Sequence, residues 1–259
     1  MSSSVMHGKI PTWYDKNSEF EETFNKDTID SKITNQSIEK ILKKYKVKTV
    51  LDLTCGTGSQ VFYLAKRGYK VIGSDISKGM LKIAKRKLKK DNIKFLRGDM
   101  RTIKIGKFDA ALTIFNSVGH LTKSDFEKTI RNIYSNLNDG GIYIFDILNL
   151  DYVTHHNNIT KLSLEKIRKI GDTRLREIQH SVIDENGILI SYTTFYIQKN
   201  NAKMKKSKTT ITLQLYNAKE LRVMLARNGF KVLGQYAIDG SKFSNTKTER
   251  ILTVALKLA

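Results

Sequence analysis

The fold is decided by the stretch Val50-Leu51-Asp52-Leu53-Thr54-Cys55-Gly56-Thr57-Gly58. Residues 49–53 form a short, mostly apolar run, which is typical of a buried parallel strand. A turn with two glycines follows, and residues 59–67 space their apolar side chains as an amphipathic helix does. Gly56 and Gly58 lack a Cβ, so a ligand can approach the backbone of this turn closely. The sequence therefore predicts a strand, a turn that can receive a ligand, and a helix.

Strands and helices alternate along the chain as far as residue 148. The pattern predicts strands over 49–53, 70–74, 93–97, 108–114 and 141–147, and helices over 59–67, 77–90 and 124–137. Such alternation is typical of a parallel sheet covered by helices on both faces. Because right-handed crossovers bring the carboxyl ends of the strands to one edge, three acids are expected there: Asp52, Asp75 and Asp99. We therefore predict a doubly wound, Rossmann-like α/β fold.

The acids and the glycine turn together resemble a known family. The turn is not the full dinucleotide fingerprint, because Val61 stands where a third glycine is required. The second strand ends at Asp75, where doubly wound folds hold a ribose diol. With Asp99 in Phe95-Leu96-Arg97-Gly98-Asp99-Met100, the three motifs resemble, in order and spacing, those of class I S-adenosylmethionine-dependent methyltransferases. A Rossmann-like domain that binds another nucleotide is the alternative.

The resemblance implies S-adenosyl-L-methionine as cofactor and S-adenosyl-L-homocysteine as product. It implies that Asp52 binds the methionine ammonium, directly or through water, and that Asp75 binds the ribose hydroxyls. Asp99, with Met100, is expected to bracket adenine, although a helix N-cap is the alternative role of Asp99. The full set of expected cofactor-binding residues is Asp52, Thr54, Gly56, Gly58, Asp75, Ile76, Asp99, Met100 and Phe115.

The end of the fourth strand indicates the methyl acceptor. It lacks the proline-rich N-P-P or D-P-P signature of DNA and glutamine N-methyltransferases. Methylation of pyrimidines at C5 needs a nucleophilic cysteine, but the single cysteine, Cys55, lies in the glycine turn. Both classes of enzyme are therefore disfavoured. The run Ser117-Val118-Gly119-His120-Leu121 resembles that of aminosugar N-methyltransferases and, more loosely, of glycine/sarcosine N-methyltransferases. Asn149-Leu150-Asp151-Tyr152 is similar to a substrate-side asparagine segment of the glycine-type enzymes. The run from Ala237 to Phe243, followed by Glu249-Arg250-Ile251, also resembles these enzymes. A small-molecule amine is therefore the expected substrate.

Two residues are candidates for catalysis. An ammonium has no free lone pair, so a positioned base assists methyl transfer to an amine. Histidine ordinarily titrates near neutral pH, and we predict that His120 accepts the amine proton or orients the neutral amine; the alternative is a structural histidine that caps the next helix. In Trp13-Tyr14-Asp15, the resemblance implies that Tyr14 closes over cofactor or substrate, and the alternative is a packing anchor.

The charge of the chain raises a second functional hypothesis. The 46 Lys and Arg side chains against 25 Asp and Glu give a net charge of +21, which fits a nucleic-acid surface. In the densest stretch, Lys82 to Lys94, the charges alternate with apolar residues, as on the solvated face of a helix, and no aromatic side chains interleave to stack bases. An RNA methyltransferase that uses Lys82 to Lys94 and Lys203 to Lys208 therefore remains the alternative to the small-amine enzyme, and nucleic acid is not favoured.

The pattern divides the chain into three parts. Residues 1–46 are expected to form a helical lid, and residues 47–150 and 216–259 the methyltransferase core. Residues 151–215 are β-rich and polar and are expected to form an antiparallel insertion over the substrate site, with strands joined at Lys199-Asn200-Asn201 and a lysine-rich stretch. A last strand over 248–258 would pair antiparallel and complete a seven-stranded sheet, as the resemblance implies.

Composition gives the remaining expectations. A single cysteine cannot form an internal disulfide, residues 1–7 lack a signal-peptide core, and there is no long apolar run, so we expect a cytoplasmic protein without a membrane contact. Cys55 is interpreted as a small turn residue. His155-His156 has no accompanying ligand cluster, so no metal is expected. The oligomeric state, monomer or homodimer, stays open.

Overall fold

The computed structural model describes residues 10–24, 29–88, 93–200 and 202–258. Its helices are α1 Ile10–Phe24, α2 Ile29–Lys44, α3 Ser59–Ala65, α4 Lys78–Arg86, α5 Lys123–Asn136, α6 Leu150–Thr154 and α7 Ala218–Arg227, with 3₁₀ helices at Ser117–His120 and His155–Leu162. Its strands are β1 Thr49–Asp52, β2 Lys70–Asp75, β3 Lys94–Arg97, β4 Phe108–Thr113, β5 Leu137–Leu148, β6 Leu164–Ile170, β7 Thr173–Ile183, β8 Ile188–Lys199, β9 Lys205–Gln214, β10 Phe230–Tyr236 and β11 Arg250–Lys257. None of the helices in these ranges has the length and apolarity needed to cross a membrane.

The larger sheet has seven strands in the order β10-β11-β5-β4-β1-β2-β3. Strands β1 to β5 are parallel, and β11 pairs antiparallel with both β5 and β10. This confirms the predicted doubly wound α/β class and the antiparallel last strand. The connections reverse direction between β1 and β4, and ligands bind at such switch points.

Helices cover both faces of this sheet, and each face has its own apolar core. On one face, α5 and α7 pack side chains that include Phe126, Ile130, Leu221 and Leu225. On the other face, α2, α3 and α4 pack side chains that include Ile38, Leu42, Leu64 and Leu81. Each such side chain, when fully buried, contributes about 1.5–3 kcal/mol. The two cores hold the strand ends at one edge in fixed positions.

Some element bounds differ from those predicted. Strand β5 begins at Leu137 rather than 141, because Leu137 pairs with Phe108 and an irregularity in the register follows. Helix α4 ends at Arg86, earlier than the predicted 90, and residues 89–92 lie outside the described residues. The difference at β5 arises from a partner strand and not from local sequence.

The segment 151–215 contains a separate four-stranded antiparallel sheet in the order β6-β7-β8-β9. The lysine-rich stretch was expected to join strands, but β9 begins at Lys205 and Lys206 pairs with Tyr196. The first four residues of β9 are exposed, so burial imposes no apolar pattern on them. The predicted turn ends at Asn201, which lies outside the described residues.

Helix α1 lies against α4 through polar contacts. The Asp15 carboxylate accepts hydrogen bonds from Ser77 Oγ (2.6 Å) and the Gly79 N–H (2.9 Å) at the start of α4. Two ion pairs also join the helices, Glu19 with Arg86 and Glu22 with Lys87. At its other side, α1 contacts the four-stranded sheet through the rings of Phe20 and Phe195, whose centroids are 5.0 Å apart. Helix α1 therefore bridges the core and the segment 151–215.

Candidate active site

A cavity of about 460 Å³ opens at the carboxyl edge of the seven-stranded sheet. It lies at the switch point that the topology defines. Ten of the eleven expected site residues line it: Tyr14, Asp52, Thr54, Gly56, Asp75, Ile76, Asp99, Met100, Phe115 and His120. Gly58 does not line it. The sequence motifs are therefore brought together at one place by the strand ends.

The two glycines of the turn have different roles. Gly56 has a φ of +53°, and a Cβ added there would meet no heavy atom within 4 Å. Gly58 has a φ of +86°, and a Cβ there would lie 2.8 Å from the Phe95 ring and 2.9 Å from the Phe62 ring. Gly56 therefore keeps the backbone open toward the cavity, whereas Gly58 allows the turn to pack on two aromatic rings.

Asp75 is arranged to accept further hydrogen bonds. The Gly56 N–H donates to its Oδ2 (2.8 Å) and the Ser77 N–H to its Oδ1 (2.9 Å). Each carboxylate oxygen has two lone pairs, so each keeps one for a ligand hydroxyl. Burial raises the Asp75 pKa, and the backbone N–H groups oppose this shift. The geometry suits a diol that approaches from the cavity.

Asp52 is a buried carboxyl in the cavity wall. Only 2 % of it is exposed, and its Oδ1 accepts the Thr54 N–H (3.2 Å). Burial raises the pKa of Asp52 to about 7, and the neighbouring Asp75 adds to the effect. A cationic group in the cavity would stabilise the ionised carboxylate.

Asp99 is held by Arg101, which was not predicted from the sequence as a site residue. The Arg101 guanidinium forms a bidentate ion pair with Asp99, and its other nitrogen reaches Asp125 (2.8 Å). Burial alone would raise the Asp99 pKa, but its bonds to Arg101 hold the pKa below the usual value. The Arg101 backbone N–H also donates to Asp99 Oδ1 (2.9 Å), so Asp99 stabilises the turn that follows β3 in addition to facing the cavity.

Tyr14 and His120 meet across the cavity. The Tyr14 hydroxyl lies 3.3 Å from His120 Nε2, and the two rings are in edge contact. Burial raises the pKa of Tyr14, so its hydroxyl stays protonated. His120 ends the 3₁₀ helix that follows β4, and Tyr14 comes from α1, more than a hundred positions away. The Tyr14 hydroxyl and the His120 ring therefore lie within hydrogen-bond reach of each other in the cavity that Phe115 also lines.

Two further charged residues belong to this end of the cavity. Asp146 on β5 is fully buried and pairs with Arg250 on β11, which lines the cavity. Neither residue was predicted from the sequence as a site residue. The signal that was available is an acid within the apolar run Ile142 to Leu148, because a buried charge requires a partner.

The lining fits S-adenosylmethionine. Thr54 Oγ1 is buried and, among the described residues, has no hydrogen-bond partner, so it offers a polar contact to a ligand. Asp52 suits an ammonium, Asp75 a diol, and the space above Gly56 admits a chain close to the backbone. Burial raises the pKa of the Cys55 thiol, which fits a turn residue.

The His155-His156 pair forms no larger cluster. Their ring centroids are 3.9 Å apart. Over the described parts of the chain, no group of three or more His, Cys, Asp or Glu side chains is placed to hold a metal ion.

Comparisons with known proteins agree with this geometry. Residues 50–141 match a family model described as a methyltransferase domain. A protein of Geobacillus sp. (strain WCH70) is 27% identical over 95% of this chain and 97% of its own length, and its name assigns it provisionally to the methyltransferases. The dTDP-3-amino-3,4,6-trideoxy-alpha-D-glucopyranose N,N-dimethyltransferase of Streptomyces venezuelae is 30% identical over 38% of this chain and 41% of its own.

A solved structure shares the whole fold. The S-adenosylmethionine-dependent methyltransferase from Clostridium acetobutylicum ATCC 824 superposes with a TM-score of 0.77 at 18% identity, over 95% of this chain and 100% of its own. Residues 50–141 therefore match a methyltransferase domain, and the chain has the fold of S-adenosylmethionine-dependent methyltransferases, in agreement with the predicted resemblance and cofactor.

Proposed function

We propose that this enzyme transfers a methyl group from S-adenosylmethionine to the amine of a small molecule. The observation that carries the proposal is the Tyr14–His120 pair, which stands in the cavity beside the end of β4. The N,N-dimethyltransferase of Streptomyces venezuelae acts on an amino sugar, and its similarity to this chain supports an amine acceptor.

In this proposal, the strand ends divide the cavity into a cofactor side and an acceptor side. Asp52 holds the methionine ammonium, Asp75 the ribose hydroxyls, and Asp99 with Met100 the adenine. Gly56 and Thr54 admit the methionine portion, and Ile76 and Phe115 supply apolar contacts. The bound cofactor supplies an electrophilic methyl group on its sulfonium.

His120 is the base of the proposed reaction. Its Nε2 faces the Tyr14 hydroxyl (3.3 Å), which can donate to the neutral ring or accept from the protonated one. The Tyr14 hydroxyl passes its proton to Nε2 as it accepts the proton of the amine, and the amine nitrogen keeps the lone pair that receives the methyl group. Tyr14 orients the ring in both protonation states. The two residues also limit the entry of water from the side of α1.

In this proposal residues 10–24 and 29–46 act as a lid, the rest of the predicted lid over 1–46 lying outside the described residues, and residues 151–215 roof the acceptor side. Support comes from α1, which carries Tyr14 into the cavity and contacts both α4 and β8. The core, residues 47–150 and 216–259, supplies the strand ends.

The test is transfer of labelled methyl from S-adenosylmethionine to glycine, sarcosine and aminosugar nucleotides. We expect label on one amine, and we expect His120→Ala to lower turnover by about 10²-fold while S-adenosylhomocysteine affinity is retained. His180→Ala, which changes an exposed histidine on β7, is the matched control. Tyr14→Phe keeps the ring and removes only the hydroxyl. A His120→Ala enzyme with full rate across the pH range would refute the base role.

A further inference from the structure

The buried carboxylate of Asp146 accepts hydrogen bonds from two separate parts of the chain. It is 0 % exposed and lies near the carboxyl end of β5. The Phe115 N–H donates to its Oδ1 (2.6 Å) and the Asn116 N–H to its Oδ2 (3.3 Å). The Arg250 guanidinium donates to Oδ2 through Nε (2.9 Å) and a terminal nitrogen. One carboxylate therefore ties the end of β4 to the start of β11.

The two backbone donors come from a strained turn. Phe115 has a φ of +63° and Asn116 a φ of +59°, a region that L side chains rarely adopt. Strain of this kind persists only where the surroundings over-determine the conformation. Besides Asp146, the turn is held by Asn116 Oδ1, which accepts the Leu148 N–H (2.8 Å).

The strained turn places the proposed base. The 3₁₀ helix from Ser117 to His120 follows it directly, and the Gly119 N–H donates to the Asn116 carbonyl (2.9 Å). This short helix is pressed on β5, because a Cβ at Gly119 would lie 2.7 Å from Ile147 Cδ1. A change in the turn would therefore move His120 and the Phe115 ring together.

Arg250 serves as the counter-ion. A fully buried carboxylate is costly unless it is paired, and the Arg250 side chain is itself only 14% exposed. The guanidinium also lies over the Phe115 ring, 5.6 Å from its centroid. The Asp146–Arg250 pair therefore contacts the turn in two ways: Asp146 accepts from the backbone N–H groups of the turn, and Arg250 lies over the exposed Phe115 ring.

We propose that Asp146, with Arg250 as its counter-ion, is a positioning residue for methyl transfer. The pair holds Phe115 and Asn116 in the left-handed conformation and thereby sets the place of His120 at the acceptor end of the cavity. This inference rests on the proposed function for the role of His120 as base, and on the geometry for the placement itself.

The test uses variants that separate placement from stability. Asp146→Asn alone leaves the Arg250 charge buried without its partner, so the double variant Asp146→Asn/Arg250→Met removes both charges. Arg250→Lys is the conservative variant that keeps a cation. Asp139→Asn is the matched control, because Asp139 also lies on β5 and also pairs with β11, through Lys257 (2.9 Å), at the opposite edge of the sheet.

The primary readout is the imidazole NMR signal of His120 in the S-adenosylhomocysteine complex. The chain has five histidines, and the His120 signal is identified by its loss in His120→Ala. We expect the signal to move in the double variant, to stay close to wild type in Arg250→Lys, and to be unchanged in Asp139→Asn. S-adenosylhomocysteine affinity should stay within about threefold, and turnover on the labelled amine should fall about tenfold or more.

The outcomes separate this inference from the proposed function. If no amine accepts label, the proposed function fails while the NMR comparison still decides the placement. An unmoved His120 signal in the folded double variant would overturn the inference, and so would an equal movement in Asp139→Asn. If the double variant does not fold, the comparison of Arg250→Met with Arg250→Lys decides, and equal His120 signals in the two would overturn it.

Discussion

At the scale of single residues, the cavity holds carboxylates with contrasting environments. Asp52 is almost completely buried with one backbone donor, whereas Asp75 has two backbone donors and Asp99 has an arginine. Burial raises the pKa values of Asp52 and Asp75, and the bonds to Arg101 hold that of Asp99 low. The three acids are therefore suited to different portions of one ligand.

Asp75→Ala should weaken S-adenosylhomocysteine binding by roughly 10- to 100-fold, since it removes the carboxylate that is proposed to accept hydrogen bonds from the two ribose hydroxyls. Isothermal calorimetry measures the effect. Asp172→Ala, which removes an exposed acid between β6 and β7, is the control and should leave the affinity unchanged. Equal affinities for wild type and Asp75→Ala would remove Asp75 from the ribose site.

Asp52→Asn should change how the stability of the ligand-free protein depends on pH. The native pKa is about 7, well above that of the unfolded chain, so the native state binds the extra proton between pH 4 and 7. The contribution of the protonated Asp52 carboxyl to the free energy of unfolding is therefore fully present below pH 4, and it is lost as the pH rises toward 7. Asparagine has no such proton to lose.

Urea unfolding at pH 5 and pH 8 measures this difference. We expect the free energy of unfolding of Asp52→Asn, relative to wild type, to rise by about 2 kcal/mol between the two values. A difference that is the same at both pH values would show that Asp52 titrates in its ordinary range in the native state.

Site residues could be predicted from the sequence where they lie at the end of a strand. Asp52 and Asp75 each end a strand before a turn, so topology alone brings them together. Asp146 and Arg250 were missed because their partnership joins positions 104 residues apart. Gly58 differs from expectation for a similar reason, since the rings of Phe62 and Phe95 meet beneath it only in the fold.

At the scale of elements, the contact between α1 and α4 depends on one glycine. Gly79 lies in the first turn of α4, and a Cβ there would come within 2.6 Å of the Asp15 carbonyl oxygen. That atom is backbone, so it cannot move aside without moving α1. The same close approach brings the Gly79 N–H to the Asp15 carboxylate.

Gly79→Ala should therefore displace α1, although alanine favours an isolated helix by about 1 kcal/mol relative to glycine. Hydrogen–deuterium exchange should become faster over residues 13–23 and slower or unchanged within α4. Lys82→Ala, at an exposed position of the same helix, is the control. Unchanged exchange over residues 13–23 would show that α1 accommodates the methyl group.

The elements differed in how well their sequences predicted them. Strands β1, β2 and β4 each contain a short apolar run of buried or half-buried residues, as is typical of strands that are covered on both faces. Strand β9 begins with exposed lysines in a sheet that contacts solvent, so its start had no apolar signal. Its bounds are set by pairing with β8.

At the scale of the whole molecule, the charge of +21 does not require a nucleic-acid partner. Two side chains of the basic stretch, Arg86 and Lys87, pair with Glu19 and Glu22 of α1. These two basic side chains therefore lie at the contact between α1 and the end of α4. The lining of the cavity is also rich in carboxylates, which disfavour a polyanion.

Methyl transfer to a small amine should accordingly be insensitive to salt. Between about 50 and 300 mM salt we expect the rate to change by less than about twofold, whereas binding of total RNA through several lysines would weaken by about 10²-fold or more. Both are measured on the same preparation. Label on RNA that disappears with salt would instead make the lysine stretches part of the substrate site.

The position of β11 has a consequence for biosynthesis. Among the described elements it is synthesised last, yet it is inserted between β5 and the edge strand β10. A nascent chain that has reached residue 249 therefore has an incomplete sheet, and Asp146 has no arginine partner from β11. The acceptor end of the cavity can be completed only after every other described element has emerged, so a partly made chain does not yet hold a finished methyl-transfer site.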